Sequence, residues 1–191
     1  MARSSAAVKH VITGRVAAEL ISHEGLVRES YRDPIGVWTW GIGVTAASGH
    51  DICPRYVDQP QSLRNCLEVF ADLLRTQYQP AVDGVFEGRL VEHQFAAALS
   101  FHYNTGAIER ATWVEDWLSG DHAAARLSIM NWCKPDAVIG RRTAERDLFF
   151  DGVWSNSGEV KEFAVLKPSY VPDYANPKVV EIASVLQEIF G

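Results

Sequence analysis

The chain is poor in cysteine. Cys53, Cys66 and Cys133 are an odd number with no CxxC pair. That excludes a disulfide framework and fits synthesis in a reducing compartment. The six histidines do not combine with cysteine at zinc-ligand spacing, so no metal is expected. There is no apolar run of about 18 residues, the length a membrane span needs. The opening stretch MARSSAAVKHVITGRVAAELIS is interrupted by Lys9, Arg15 and Glu19, so neither a signal peptide nor a stable membrane anchor is expected. A basic stripe is missing as well. Net charge is −6, and the densest basic cluster, Arg141, Arg142 and Arg146, is mixed with Glu145 and Asp147. Both features argue against nucleic acid as a partner. No GxGxxG, P-loop or HExxH segment occurs, and no cofactor is expected.

What remains is ordinary globular material: 191 residues, 47% apolar and 22% charged. This suffices for one sizeable domain or for a larger and a smaller lobe. Residues 11–23 carry Val11, Val16, Leu20 and Ile21 at helical spacing, which predicts a short helix ending near Glu24 with Gly25 as its stop. Residues 26–48 change character. Gly36, Gly41 and Gly43 punctuate the β-formers Val37 to Thr45, the pattern of a small antiparallel sheet. The DPIG stretch from Asp33 to Gly36 has the residue order of a type I turn.

Further on, Leu63, Leu67, Phe70, Leu74 and Tyr78 recur at steps of three and four, predicting a helix over 62–78 capped by Ser62 and ending before Pro80. The run FAAALSF inside 91–103 reads as a helix packed from several sides. Helices near 111–119, 121–133 (capped by Asp121) and 141–150 come next. Residues 161–177, with Pro168, Pro172 and Pro177, are expected to be irregular, and 178–190 to form a closing amphipathic helix. The arrangement is an α+β fold with segregated elements: a small glycine-rich antiparallel β lobe and a larger helical lobe, whose junction would make a cleft.

Glu24 ends a helix, Asp33 starts a turn nine residues later, and Thr39 lies six residues beyond on a run of β-formers. A carboxylic acid, a carboxylate and a hydroxyl are what acid-assisted cleavage of a glycosidic bond requires. Each is also a routine surface residue in its setting, and the pattern alone leaves both readings open. Trp38 and Trp40, two apart on a strand, face one side and serve either a sugar ring or the core of the β lobe.

Together, E-x8-D-x5-T-x-G-x-G (Glu24, Asp33, Thr39, Gly41, Gly43) and its DPIGVWTWGIG core resemble phage-type lysozymes, the endolysin family of the T-even type. FHYNTGA from Phe101, WVEDWLSGDHAAA from Trp113 and GRRTAERDLF from Gly140 continue the likeness in order over residues 12–154. The resemblance implies Glu24 as catalytic acid, Asp33 as the carboxylate that orients or activates water, and Thr39 as a hydroxyl that helps hold it. It implies Arg141, ahead of Arg142, as the arginine supporting the acid. His102 stands where the family has a polar amide and would face the sugar; Trp40, by its aromatic face alone, is a further candidate sugar contact. Val44 replaces a histidine, and Asn104-Thr105 replaces a Gly-Thr order.

The implied activity is muramidase: hydrolysis of the β-1,4 bond between N-acetylmuramic acid and N-acetylglucosamine in peptidoglycan, with inversion, for host cell lysis. A lytic transglycosylase and a non-catalytic wall-binding domain are the alternatives. The expected organisation is a catalytic domain over 1–154 and an extension over 155–191 whose terminal helix packs on it. A monomer is expected, held in the host cytoplasm until a holin-type pore gives access to the wall.

Overall fold

A computed structural model describes residues 9–191. The part of the N-terminal reading that concerns residues 1–8 lies outside them. In chain order the elements are α1 (Gly14–Glu24), β1 (Val27–Arg32), β2 (Trp38–Gly41), β3 (Val44–Thr45), α2 (Leu63–Leu73), α3 (Gln79–Phe86), α4 (Glu92–Thr105), α5 (Thr112–Leu118), α6 (His122–Ser128), α7 (Ile139–Asp151), β4 (Glu159–Glu162), β5 (Val165–Leu166), β6 (Val171–Pro172), β7 (Lys178–Glu181) and α8 (Ala183–Phe190). The class is α+β, as the alternating periodicities predict. The elements form two compact units. One is residues 13–75 with 156–191; the other is residues 76–155 with the described residues up to 12.

In the first unit, the Thr13 side chain accepts from the Val16 N–H at 3.2 Å and starts α1. The helix buries Val16, Ala17, Leu20 and Ile21. It ends at Gly25, whose φ of +77° is open to glycine and strained for other residues. Strands β1, β2 and β3 form an antiparallel sheet in that order, with Tyr31 opposite Thr39 and Trp40 opposite Val44. Strands β4 and β7 pair antiparallel, as do β5 and β6. Helix α8 packs on α1 and α2, with Leu186 buried, while β5 and β6 lie against β1. The buried carboxylate of Glu19 in α1 accepts from the Asn156 backbone and side-chain N–H groups at 3.2 and 2.7 Å. A buried charge without such donors would cost several kcal/mol, on the order of 3–5.

Three expectations are corrected here. Lys178–Glu181 is a strand, because Val179 and Val180 pair with Lys161 and Val160 across β4; the helix begins only at Ala183. The proline-bearing stretch 161–177 holds β5 and β6 and the end of β4. Helix α3 follows α2 almost directly, through one π-type turn at Leu74–Tyr78. Pro80 sits in its first turn, where a missing N–H leaves no bond unmade.

The second unit is helical. Every residue from Phe95 to Phe101 is buried, so α4 is its central helix. Trp113 is fully buried among Phe101 (5.3 Å between ring centroids), Phe149 (5.1 Å) and Phe86 (6.2 Å). Burying a large apolar side chain contributes about 1.5–3 kcal/mol, so these rings dominate the packing. Asp121 caps α6, accepting from Ala124 N–H at 2.9 Å, and the helix tightens into a 3₁₀ turn at Ile129–Trp132.

Candidate active site

Glu24 is the last residue of α1 and is half-buried. The next two residues fix its position. The Gly25 N–H donates to Ile21 O at 3.0 Å and closes the helix. A Cβ on Gly25 would stand 2.8 Å from Cε2 of Phe163, so the aromatic ring rests against the backbone where the helix stops. Leu26 donates to Lys161 O and accepts from Phe163 N–H, both at 2.9 Å. The segment after β4 therefore holds the backbone immediately beyond Glu24.

Asp33 is held by its own turn. The Gly36 N–H donates to Asp33 O at 2.9 Å, and the Asp33 N–H donates to Val37 O at 3.0 Å. The carboxylate's Oδ1 accepts from the backbone N–H groups of Ile35 (3.0 Å) and Val37 (2.8 Å). This Asx geometry locks the side chain with local backbone alone. Thr39 is 4% exposed, directly across the ladder from Tyr31, and its hydroxyl donates to Val37 O at 3.3 Å. Asp33 and Thr39 are thus tied to one residue, Val37. The loop after Thr39 closes through Gly41 and Gly43, at φ of +64° and +69°.

Tyr31, opposite Thr39 in the ladder, belongs to none of the sequence motifs. Its phenol is pushed well above its ordinary range, first by burial, then by Tyr174, Glu24 and Asp33. Both carboxyl groups therefore act on one side chain. Its place two residues before Asp33 was the available signal. Tyr174 is raised as well, by burial and then by the charge of Asp33.

Trp40 does not offer a face to sugar. It is fully buried, its ring stacks on Tyr56 (4.3 Å) and His50 (5.7 Å), and its indole N–H donates to Arg28 O at 2.9 Å. Packing of the small sheet accounts for it. Trp38 is half-buried, with Tyr170 edge-on at 5.4 Å and the Arg32 guanidinium 4.4 Å from its ring centre. Val44, in the family's histidine position, is 1% exposed and is plain core. Cys66 is an inert thiol, pushed up to about 12 by burial.

In the helical unit, the GRRTAERDLF block builds an ionic cluster. Glu145 is fully buried and accepts from Arg141 Nε and from Ser100 Oγ at 2.9 and 2.6 Å, and from Arg142 Nη1. Arg142, also fully buried, further donates to Asn104 Oδ1 (2.8 Å) and Trp132 O (3.2 Å) and lies 4.5 Å over the Phe101 ring. Asn104, a departure from the family pattern, is thus a partner for Arg142. Arg141 also donates through Nη2 to Ser100 O and Oγ, at 3.0 and 3.1 Å. His102 meets Tyr78 edge-on at 5.7 Å; burial lowers its pKa, and its Nδ1 has no hydrogen-bond partner among the described residues.

Comparisons with known proteins bear on the fold and the family. An endolysin from Escherichia coli O157:H7 phage FAHEc1 is similar in fold, with a TM-score of 0.66, 20% identity, and coverage of 77% of this chain and 97% of that one. A P22 lysozyme mutant gives 0.62 and 23%, covering 74% and 99%. The muramidase domain of SpmX from Asticaccaulis excentricus gives 0.57 and 24%, again covering 74% and 99%. No curated protein sequence matches. Residues 21–145 match the family described as phage lysozyme, and the chain belongs to that family of peptidoglycan-hydrolysing glycosidases.

Proposed function

We propose that the protein is an endolysin muramidase that cleaves the β-1,4 bond between N-acetylmuramic acid and N-acetylglucosamine, with Glu24, Asp33 and Thr39 as its catalytic set. Glu24 donates its proton to the leaving glycosidic oxygen. Asp33 accepts a proton from a water that attacks the anomeric carbon from the opposite face, and Thr39 helps hold that water. The result is inversion, with a new reducing end. Arg141 orients the acid and His102 contacts the glycan; both roles rest on the resemblance. The observation that carries the reading is the Asp33 carboxylate. Oδ1 takes both backbone donors, and Oδ2 accepts no hydrogen bond among the described residues. A carboxylate fixed this way, one turn from a buried threonine and acting on the same tyrosine as Glu24, suits the positioning of water.

We also infer a monomer that waits in the host cytoplasm and reaches the wall through a holin-type pore. Among the described residues no helix is long and apolar enough to cross a membrane. The test is purified protein on peptidoglycan, wild type beside Glu24→Gln, with soluble products weighed by mass spectrometry. Reducing muropeptides from wild type alone support the reading. Anhydro products, lighter by one water, would make it a transglycosylase. Wall binding without products from either protein would make it a binding module.

A further inference from the structure

The family match ends at residue 145, and the segment from Asn156 onward lies beyond it. That segment does more than cover the core of its unit. Phe163 rests against Gly25, the residue after the proposed acid, and is fastened there by its backbone bond to Leu26. Eleven residues on, Tyr174 meets Phe163 at 5.3 Å with an interplanar angle of 63°. In an edge-to-face pair Tyr174 gives up at most one of its faces, and the residue is 55% exposed.

Its loop is not slack. The Tyr174 N–H donates to Pro172 O at 3.0 Å, and the Asp173 N–H donates to Ala164 O at 2.8 Å. The Asp173 carboxylate accepts from Ala175 N–H at 3.3 Å and from the Asn176 side chain at 3.2 and 3.0 Å. Through Phe163 the Tyr174 ring is linked to Gly25, the residue after Glu24. Tyr174 is a largely exposed aromatic ring carried on a hydrogen-bonded loop. It is apt for the C–H face of a pyranose, with its hydroxyl available to the acetamido or hydroxyl groups around that face.

We propose that Tyr174, braced edge-on by Phe163, is an aromatic platform, contributed by the segment outside the family match, that stacks on an N-acetylhexosamine ring next to the bond being cleaved. The platform rests on the muramidase reading for its substrate and is tested apart from it. Binding of an N-acetylglucosamine tetramer to the Glu24→Gln protein is measured by calorimetric titration, and turnover of solubilised peptidoglycan is measured with the active enzyme. Tyr174→Ala weakens tetramer binding and raises KM by about five- to tenfold, the size of one aromatic contact. The kcat stays within about twofold, as for a lost uniform binding contact. Tyr174→Phe and Tyr174→Trp retain the binding, and Tyr174→Leu, of similar bulk without a ring, reproduces the loss should the alanine variant fail to fold. Equal tetramer binding by wild type and by a folded alanine or leucine variant overturns the platform. If wild type bound the tetramer through Tyr174 but released no muropeptides, the muramidase reading would fall and the platform would stand.

Discussion

Two charge-bearing stretches of this chain look alike as sequence and differ as structure. Around Asp33, the carboxyl group is half-buried and accepts from backbone N–H groups alone, in an Asx turn beside the β1–β2 register. Around Glu145, the carboxylate is wholly buried and wrapped by Arg141, Arg142 and Ser100. A carboxylate proposed to position water must keep some of its surface available, and main-chain donors engage Asp33 on one oxygen. A group meant to knit helices together can spend every lone pair on its neighbours. The contrast separates chemistry from architecture within one set of family motifs, and it can be tested.

The largest effect is expected at the acid. Glu24→Gln should lower turnover by about 10²–10⁴-fold, the range for loss of a general acid, while unfolding free energy changes by less than about 1 kcal/mol. Glu145→Ala should behave in the opposite way. It leaves the Arg142 charge buried without its carboxylate and should cost about 3–5 kcal/mol in denaturant unfolding. Equal stability loss in the two variants would erase the distinction. Asp33→Asn and Thr39→Ala should reduce kcat by roughly 10–100-fold, Thr39→Ala less, because positioning of water can be shared. Gly25→Ala should cost about 1–3 kcal/mol, from a strained φ and from collision with Phe163. Adding Phe163→Ala should remove the collision part only, so a double-mutant cycle shows coupling between the two sites.

Much of this was legible in the sequence because it is local. Thr39 and Asp33 sit within a few residues of the backbone that orients them, and Ser62 and Asp121 cap the helices their positions announce. What was missed depends on partners far along the chain. Val179 and Val180 read as the start of the closing helix, and only β4 makes them a strand. Pro80 read as a stop and proved to be a start. Trp40 could not be told from a sugar platform until Tyr56 and His50 were seen covering its ring. Tyr31 carries no motif letter, and its importance comes from two carboxyl groups brought to it by folding. The role of Phe163 was invisible because its contact, Gly25, lies on a helix made from the other end of the chain.

The unit that holds Glu24, Asp33 and Thr39 is assembled from two stretches of chain, 13–75 and 156–191, with residues 76–155 made in between. At a ribosomal rate of roughly 5–20 residues per second, that interval lasts roughly 4–16 s. Throughout it, Leu26 lacks its partners Lys161 and Phe163, and Glu19 lacks Asn156. The nascent chain therefore carries all three proposed catalytic residues well before the scaffold that sets them exists. Synthesis order thus delays the appearance of a competent enzyme.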